Sequence, residues 1–223
     1  MSFKYVLQQY INNPKKFPDS VVLEEEDFLV IRDAYPKSVR HLLVIPRSSE
    51  ITHIHPLDVF DKNQDLYNRV SQIIKKAENI LVDELLDIGL LKFESDDAIA
   101  RESFINTFVR AGIHSVPSLA NLHIHVISKD FFSPRLKNKK HYNSFTTSFF
   151  VDFDELDPSK RSSASEKTQK NPIQIIKDSP LRCTYCGKSF ENKFKHLKLH
   201  LEKEFINKFK PSASQIQSFK RLS

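Results

Sequence analysis

Sixteen consecutive residues, 157 to 172 (DPSKRSSASEKTQKNP), carry hardly an apolar side chain and are rich in Ser, Lys and Pro. Such a segment has too little apolar surface to offset the entropy of ordering its backbone, so it reads as a linker. It constrains the whole architecture, because it leaves a body of residues 1 to 156 and a tail of residues 173 to 223. The body is long enough for one sizeable core. The tail is too short to rest on apolar burial alone and needs something to fold around.

Charge divides at the same place. Of the formal net charge of +6, the tail has +7, from eleven Lys/Arg against four acids, which leaves the rest of the chain, residues 1 to 172, at about −1. A basic tail beside a neutral body suggests a polyanionic partner, with nucleic acid first among them; a solvated lysine-rich helix is the plainer alternative. MSFKYVLQQYINNP is interrupted by polar residues, and the chain has no apolar run of about eighteen residues. A soluble intracellular protein with no membrane partner is therefore expected. With three glycines in all, the chain lacks a Gly-rich phosphate loop.

The body alternates strand and helix signals. VLQQYINN has helical spacing and stops before Pro14, predicting a short first helix. FLVIRD (28 to 33) and HLLVIPR (41 to 47) read as paired strands. Between Leu57 and Asp87, Leu66, Val70, Ile73, Ile74, Ala77, Ile80, Leu81 and Leu85 recur at three-and-four spacing, an amphipathic helix to cover the sheet. NTFVRAGIHSV and NLHIHVIS supply two more strand candidates, separated by PSLA. The fold class is α+β with a mainly antiparallel sheet and packed helices.

Within LHIHVI, strand alternation sends Leu122, Ile124 and Val126 to the core and Asn121, His123 and His125 to the opposite face. The two imidazoles would stand about 7 Å apart along the strand. A neutral imidazole is nucleophilic near pH 7, and a second can stabilise oxygens as charge develops. Alone, the pattern fits a wet strand face equally well.

Four strings break that tie: RDAYPKSVRHLLVIPR, GIHSVPS, NLHIHVIS and SKDFFSPRLKNKKHYNSF. Together they resemble the aprataxin family of the histidine triad hydrolases, over nearly the whole chain. The resemblance implies a histidine triad fold and hydrolysis of the diphosphate bond in 5′-adenylated DNA ends. His123 would be the nucleophile that forms a covalent adenylyl-histidine. His125 would contact phosphate oxygens, and His114 would assist the leaving group or meet the DNA-side phosphate. Ser118 would hydrogen-bond phosphate, Asp33 would bind ribose hydroxyls, Phe28 and Ile31 would line the adenine pocket, and Lys37 and His41 would support the site. No catalytic metal is implied. The chain departs from the motif at the first histidine position, which is Asn121.

The cysteines, Cys183 and Cys186 in CTYC, point to metal or redox chemistry rather than a disulfide framework. Two ligand pairs could complete a tetrahedral zinc site: His196 with His200, nine residues after Cys186, or His200 with Glu204, thirteen after it. A gap of about twelve is usual for finishing a hairpin and entering a helix, which favours the second pair. The spacing resembles that of the Cys-Cys-His-Glu finger of fungal aprataxins. Structural zinc on Cys183, Cys186, His200 and Glu204 is the expectation, with His196 as the alternative ligand.

Lys188, Lys193, Lys195 and Lys198 around that finger, and Arg135, Lys137, Lys139 and Lys140 behind the histidine strand, are expected to grip the phosphate backbone. Phe3 and Tyr5 open the first helix, and the aromatic at the Phe3 position resembles a wedge stacking on a terminal base pair. The expected partner is nicked or gapped double-stranded DNA bearing a 5′-adenylate, with AMP as product and a monomeric, nuclear protein that also reaches the cytoplasm. Two rivals are a phosphoramidate or dinucleotide hydrolase of the same superfamily and a non-enzymatic DNA-binding adaptor. The first helix begins almost at Met1, so the phosphopeptide-binding FHA domain of vertebrate members is expected to be absent.

Overall fold

The computed structural model describes residues 3–160 and 171–221; the middle of the expected linker, 161–170, lies outside the described residues. Six strands form one antiparallel sheet: β1 (Val21–Glu24), β2 (Phe28–Arg32), β3 (His41–Pro46), β4 (Val109–His114), β5 (Ile124–Ser128) and β6 (Phe150–Asp152). Their spatial order is β1-β2-β3-β5-β4-β6. The β2 and β3 strands predicted from their apolar runs pair in register, Ile31 opposite Leu43. Leu43 is in turn opposite His125 of β5.

Alternation gives the sheet two different faces. Phe28, Val30, Leu42, Val44, Ile124 and Val126 enter the main core, which α2 (Gln64–Asp87) covers through Val70, Ile74, Ala77 and Leu81. That helix starts later than its periodicity suggests, because residues 57 to 62 form turns and the Asn63 side chain accepts the Leu66 N–H as the N-cap. Leu29, Ile31, Leu43 and Ile45 emerge on the other face, where Leu7 and Ile11 of the N-terminal segment cover them. Ile11 belongs to α1 (Gln8–Asn12), the predicted first helix.

One predicted strand is partly helix. Asn106, Thr107 and Phe108 close α3 (Ala98–Phe108), and β4 begins at Val109. The Asp97 carboxylate, which accepts the Ala100 N–H at 2.9 Å, starts that helix and outweighs the β-branched character of the segment. Gly112, opposite His125 in β4, has a steric role: a Cβ there would run into the Val151 carbonyl and the Phe150 ring of β6.

Residues of the tail share cores with the body. After α4 (Lys139–Thr146) and α5 (Pro172–Asp178), a small hairpin of β7 (Leu181–Arg182) and β8 (Ser189–Glu191) leads into α6 (Phe194–Phe209) and α7 (Ala213–Arg221). Leu181, Cys183, Leu197 and Leu201 pack with Phe131, Leu136, Tyr142 and Phe145 of the body. Phe205, Phe209 and Phe219 enter the main core. No helix among the described residues is long and apolar enough to cross a membrane.

Candidate active site and metal cluster

The sheet face opposite α2 is left open between the N-terminal segment and α4, and a cavity of about 700 Å³ fills the gap. That is ample for a nucleotide. His114, His123 and His125 line it together, with Ile31, Asp33, Lys37 and Ser118. Its walls differ. Leu7, Tyr10, Ile31 and Leu43 make one apolar, whereas Arg135, Lys137, Lys140 and His141 make the other basic.

His123 precedes the first hydrogen-bonded residue of β5, and its Nδ1 lies 2.8 Å from the Asn121 carbonyl oxygen. A carbonyl can only accept, so Nδ1 carries the proton and Nε2 keeps its lone pair. Burial holds the pKa of His123 below its ordinary value, against the opposing pull of the Asn121 carbonyl and Asp33. The result is a neutral imidazole with its nucleophilic nitrogen fixed. Asn121, at the departed motif position, is buried; its amide donates to Gln8 Oε1 at 3.0 Å and Thr52 Oγ1 at 3.1 Å, tying the loop before β5 to two other segments.

His125 stands beside His123, ring centroids 5.0 Å apart, closer than strand spacing alone suggests because the rings lean together. Its Nδ1 lies 2.9 Å from His41 Nε2 on β3, and its Nε2 has no hydrogen-bond partner among the described residues. His114 packs on His125 at 4.5 Å and sits among the rings of Phe145, Phe149 and Phe150. Desolvation lowers the pKa of His41 to about 4 and of His114 to about 3, and takes His125 well below its ordinary value. All are neutral near pH 7.

The loop carrying Asp33 and Lys37 is stitched to the chain that follows β5. Val39 N–H donates to the buried carboxylate of Asp130 at 2.9 Å, Phe131 N–H to Ser38 Oγ at 3.2 Å, and Ser133 Oγ to the Pro36 carbonyl at 2.5 Å. The CTYC knuckle rests on the same chain: Thr184 Oγ1 donates to the Lys129 carbonyl at 3.2 Å, and Tyr185 OH to that of Asp130 at 3.4 Å.

The expected site residues do not all gather here. Phe28 is on the far side of the sheet, in the core under α2, because it alternates out of phase with Ile31; Leu43, two residues after His41 on its face of β3, occupies the apolar wall instead. Phe3 lines the cavity and is exposed, but Tyr5 meets His53 edge-on in a separate cleft of about 460 Å³ on the other flank of His123. Arg135, Lys137 and Lys140 reach the cavity. Lys139 instead donates to Asn192 of the tail, Lys188 lies over the Phe190 ring, and Lys193 is the residue before α6. His141 was visible in KNKKHYNSF as the one histidine of the basic block, a signal that basic spacing alone passes over.

In the tail, ligand atoms of Cys183, Cys186 and His200 all lie within 4.8 Å of one another. Cys186 Sγ is 3.2 Å from His200 Nε2, which is 3.3 Å from Glu204 Oε1, one helical turn on in α6. Two sulfurs and an imidazole nitrogen grouped this closely suit tetrahedral zinc, and the Glu204 oxygen beside His200 is the nearest candidate for a fourth ligand. Neither Glu204 nor His196 is in that group of three among the described residues, but Glu204 contacts its His200.

Comparison with known proteins agrees with both halves. The family model of the scavenger mRNA decapping enzyme C-terminal binding region matches residues 4–141, and that of the C2HE / C2H2 / C2HC zinc-binding finger matches 146–207, beginning ahead of the expected linker. The chain is 39% identical over 218 residues to an aprataxin-like protein of Saccharomyces cerevisiae, covering 94% of this chain and 99% of the relative. It is 32% identical to an aprataxin-like protein of Schizosaccharomyces pombe, covering 92% and 82%. The crystal structure of the aprataxin ortholog Hnt3 in complex with DNA superposes with a TM-score of 0.78 at 30% identity, covering 94% and 98%. A cavity lined by three histidines, a cysteine-histidine cluster in the tail and similarity over 94% of the chain lead to one conclusion: the chain belongs to the aprataxin family.

Proposed function

We propose that this protein is a DNA repair hydrolase that removes AMP from 5′-adenylated DNA ends through a covalent adenylyl-His123. The observation that carries this reading is the His123 imidazole, pinned by the Asn121 carbonyl with Nε2 free, between an apolar wall and a basic wall of one cavity. The apolar wall suits adenine, with Asp33 in reach of its ribose hydroxyls. The basic wall suits a nucleic acid phosphate backbone, and solved relatives hold DNA, one of them DNA and guanosine.

The chemistry balances without an external acid. His123 Nε2 attacks the α-phosphorus, forming the P–N bond, while the bond to the bridging oxygen breaks and its electron pair leaves with the DNA 5′-phosphate. A phosphate monoester has a second pKa of about 6, so it departs near neutral pH without a proton from His114. Neutral imidazoles at His114 and His125 are therefore compatible with the first step. Water then breaks the P–N bond, releasing AMP and restoring His123. Zinc, held by Cys183, Cys186, His200 and Glu204, would order the knuckle under Lys129 and Asp130 and take no part in bond breaking. A monomer acting in the nucleus on nicked or gapped DNA fits this reading.

The test is AMP release from a 5′-adenylated nicked oligonucleotide. His123→Asn should lower it by about 10³-fold or more; undiminished release removes His123 from the mechanism. Adenosine 5′-phosphoramidate as a parallel substrate separates a DNA end enzyme from a small-nucleotide hydrolase: faster turnover of the phosphoramidate would favour the latter.

A further inference from the structure

His41 Nδ1 faces a donor and an acceptor at once. The Lys37 backbone N–H approaches it at 3.4 Å, and the Asp33 carboxylate Oδ2 lies 3.2 Å away. A neutral imidazole satisfies one of them at a time. His41 is neutral near pH 7, since burial lowers its pKa to about 4.

The choice propagates. If Nδ1 carries the proton toward Asp33, His41 Nε2 is a lone pair and His125 Nδ1, 2.9 Å away, must carry the proton between them. His125 Nε2, buried and without a hydrogen-bond partner among the described residues, is then a bare acceptor. If Nδ1 instead accepts from Lys37 N–H, every proton on this chain shifts: His41 Nε2 donates, His125 Nδ1 accepts, and His125 Nε2 carries N–H. Phosphate oxygens only accept, so the second arrangement binds them and the first opposes them.

We infer that Asp33, His41 and His125 form a tautomeric relay by which the ribose hydroxyls of the substrate switch His125 into its phosphate-binding form. In the free protein, the Asp33 carboxylate draws the His41 proton to Nδ1. Ribose hydroxyls donating to Asp33 supply the carboxylate with other protons, leaving His41 Nδ1 to Lys37 N–H. His125 Nε2–H then points at the α-phosphate. Asp33 and His41 are positioning residues here, acting through His125. This deepens the reading above and rests on it for the ligand, an adenosine 5′-phosphate. Asp33 also accepts the Tyr35 N–H through its other oxygen at 2.7 Å, so it is held in place whichever partner Oδ2 serves.

The experiment reads tautomers directly, by long-range ¹H–¹⁵N correlation on ¹⁵N-histidine-labelled full-length protein at pH 7.5. His125 Nε2 should be unprotonated in the free protein, protonated with AMP, and unprotonated with 2′,3′-dideoxy-AMP. Asp33→Asn keeps an oxygen for Tyr35 N–H but replaces the second oxygen by an amide that donates to His41; its free form should already show His125 Nε2 protonated. The same protonation state in all four samples overturns the relay. Kinetics give a second reading: a 2′,3′-dideoxyadenylated end should lose about tenfold or more in kcat, whereas a loss confined to KM marks simple ribose binding and also overturns it. If AMP switches the tautomers but adenylated DNA is not cleaved, the relay stands and the DNA-end reading falls.

Discussion

Two histidine sites on one chain show how environment divides the work of a single side chain. In the body, four imidazoles are buried among Phe145, Phe149, Phe150 and the sheet, and each is kept neutral by desolvation. In the tail, His200 is about one-fifth exposed and stands beside Cys186 and Glu204. The first set is held by apolar packing and by the Asn121 and His41 contacts, and ligand atoms of Asp33, His41 and His125 within it also lie within 4.8 Å of one another. The second gathers sulfur, nitrogen and carboxylate oxygen, groups whose mutual approach is favoured when a cation sits among them.

If that contrast holds, removing the tail's metal should have the largest effect. Cys183→Ser, or chelation, should cost ~4 kcal/mol or more. Leu181, Leu197 and Leu201 share a core with Phe131, Tyr142 and Phe145, so calorimetry should show one lowered transition rather than an unchanged body transition beside a lost tail. Metal analysis sharpens the ligand set: Glu204→Ala should lower zinc content and His196→Ala should not.

Acid should act on the body through its neutral histidines. Between pH 6.5 and about 4 the unfolded chain binds a proton at His41 that the folded chain does not, so stability falls as pH falls through that window, by ~3 kcal/mol from His41. Asp130 works the other way: burial raises its pKa from 3.8 to about 6, so its contribution falls as pH rises through that range. Denaturant titrations at several pH values should show the histidines prevailing. His114→Phe, which keeps a ring among the phenylalanines but has no titrating nitrogen, should flatten the acid limb and separate it from zinc loss at His200.

Gly112→Ala should cost ~1–3 kcal/mol in urea denaturation, since the methyl group collides with Val151 and Phe150 behind His125. Tyr142→Phe should cost least, ~1 kcal/mol. Its hydroxyl donates to the Arg182 carbonyl at 2.7 Å and accepts the Thr184 N–H at 3.1 Å, joining body and tail. An unchanged midpoint would mean that the Tyr142 hydroxyl adds nothing to the docking of the knuckle.

Much of this was legible in the residues. Apolar runs in FLVIRD and HLLVIPR and alternation in LHIHVI placed three adjacent strands, and helical spacing placed α2. Short or compositionally neutral elements escaped: β1 and β6 have four and three residues, and α3 begins at an Asp97 cap ahead of a segment rich in β-branched side chains. In the site, His114, His123, His125, Asp33 and Lys37 were found by motif and come together in space. Leu7, Tyr10 and His141 were not found, because their role depends on which segments cross the open face of the sheet.

Phe28 marks where sequence stops being sufficient. Strand periodicity determines that Phe28 and Ile31 lie on opposite faces, and chemistry in LHIHVI determines that two imidazoles share one. Which face carries the cavity was settled by the packing of α2 against one side and by the N-terminal segment and α4 leaving a gap on the other. So was the state of the histidines: an imidazole titrates near 6.5 in any unfolded chain, and burial beside Phe145 and His41 keeps it neutral here.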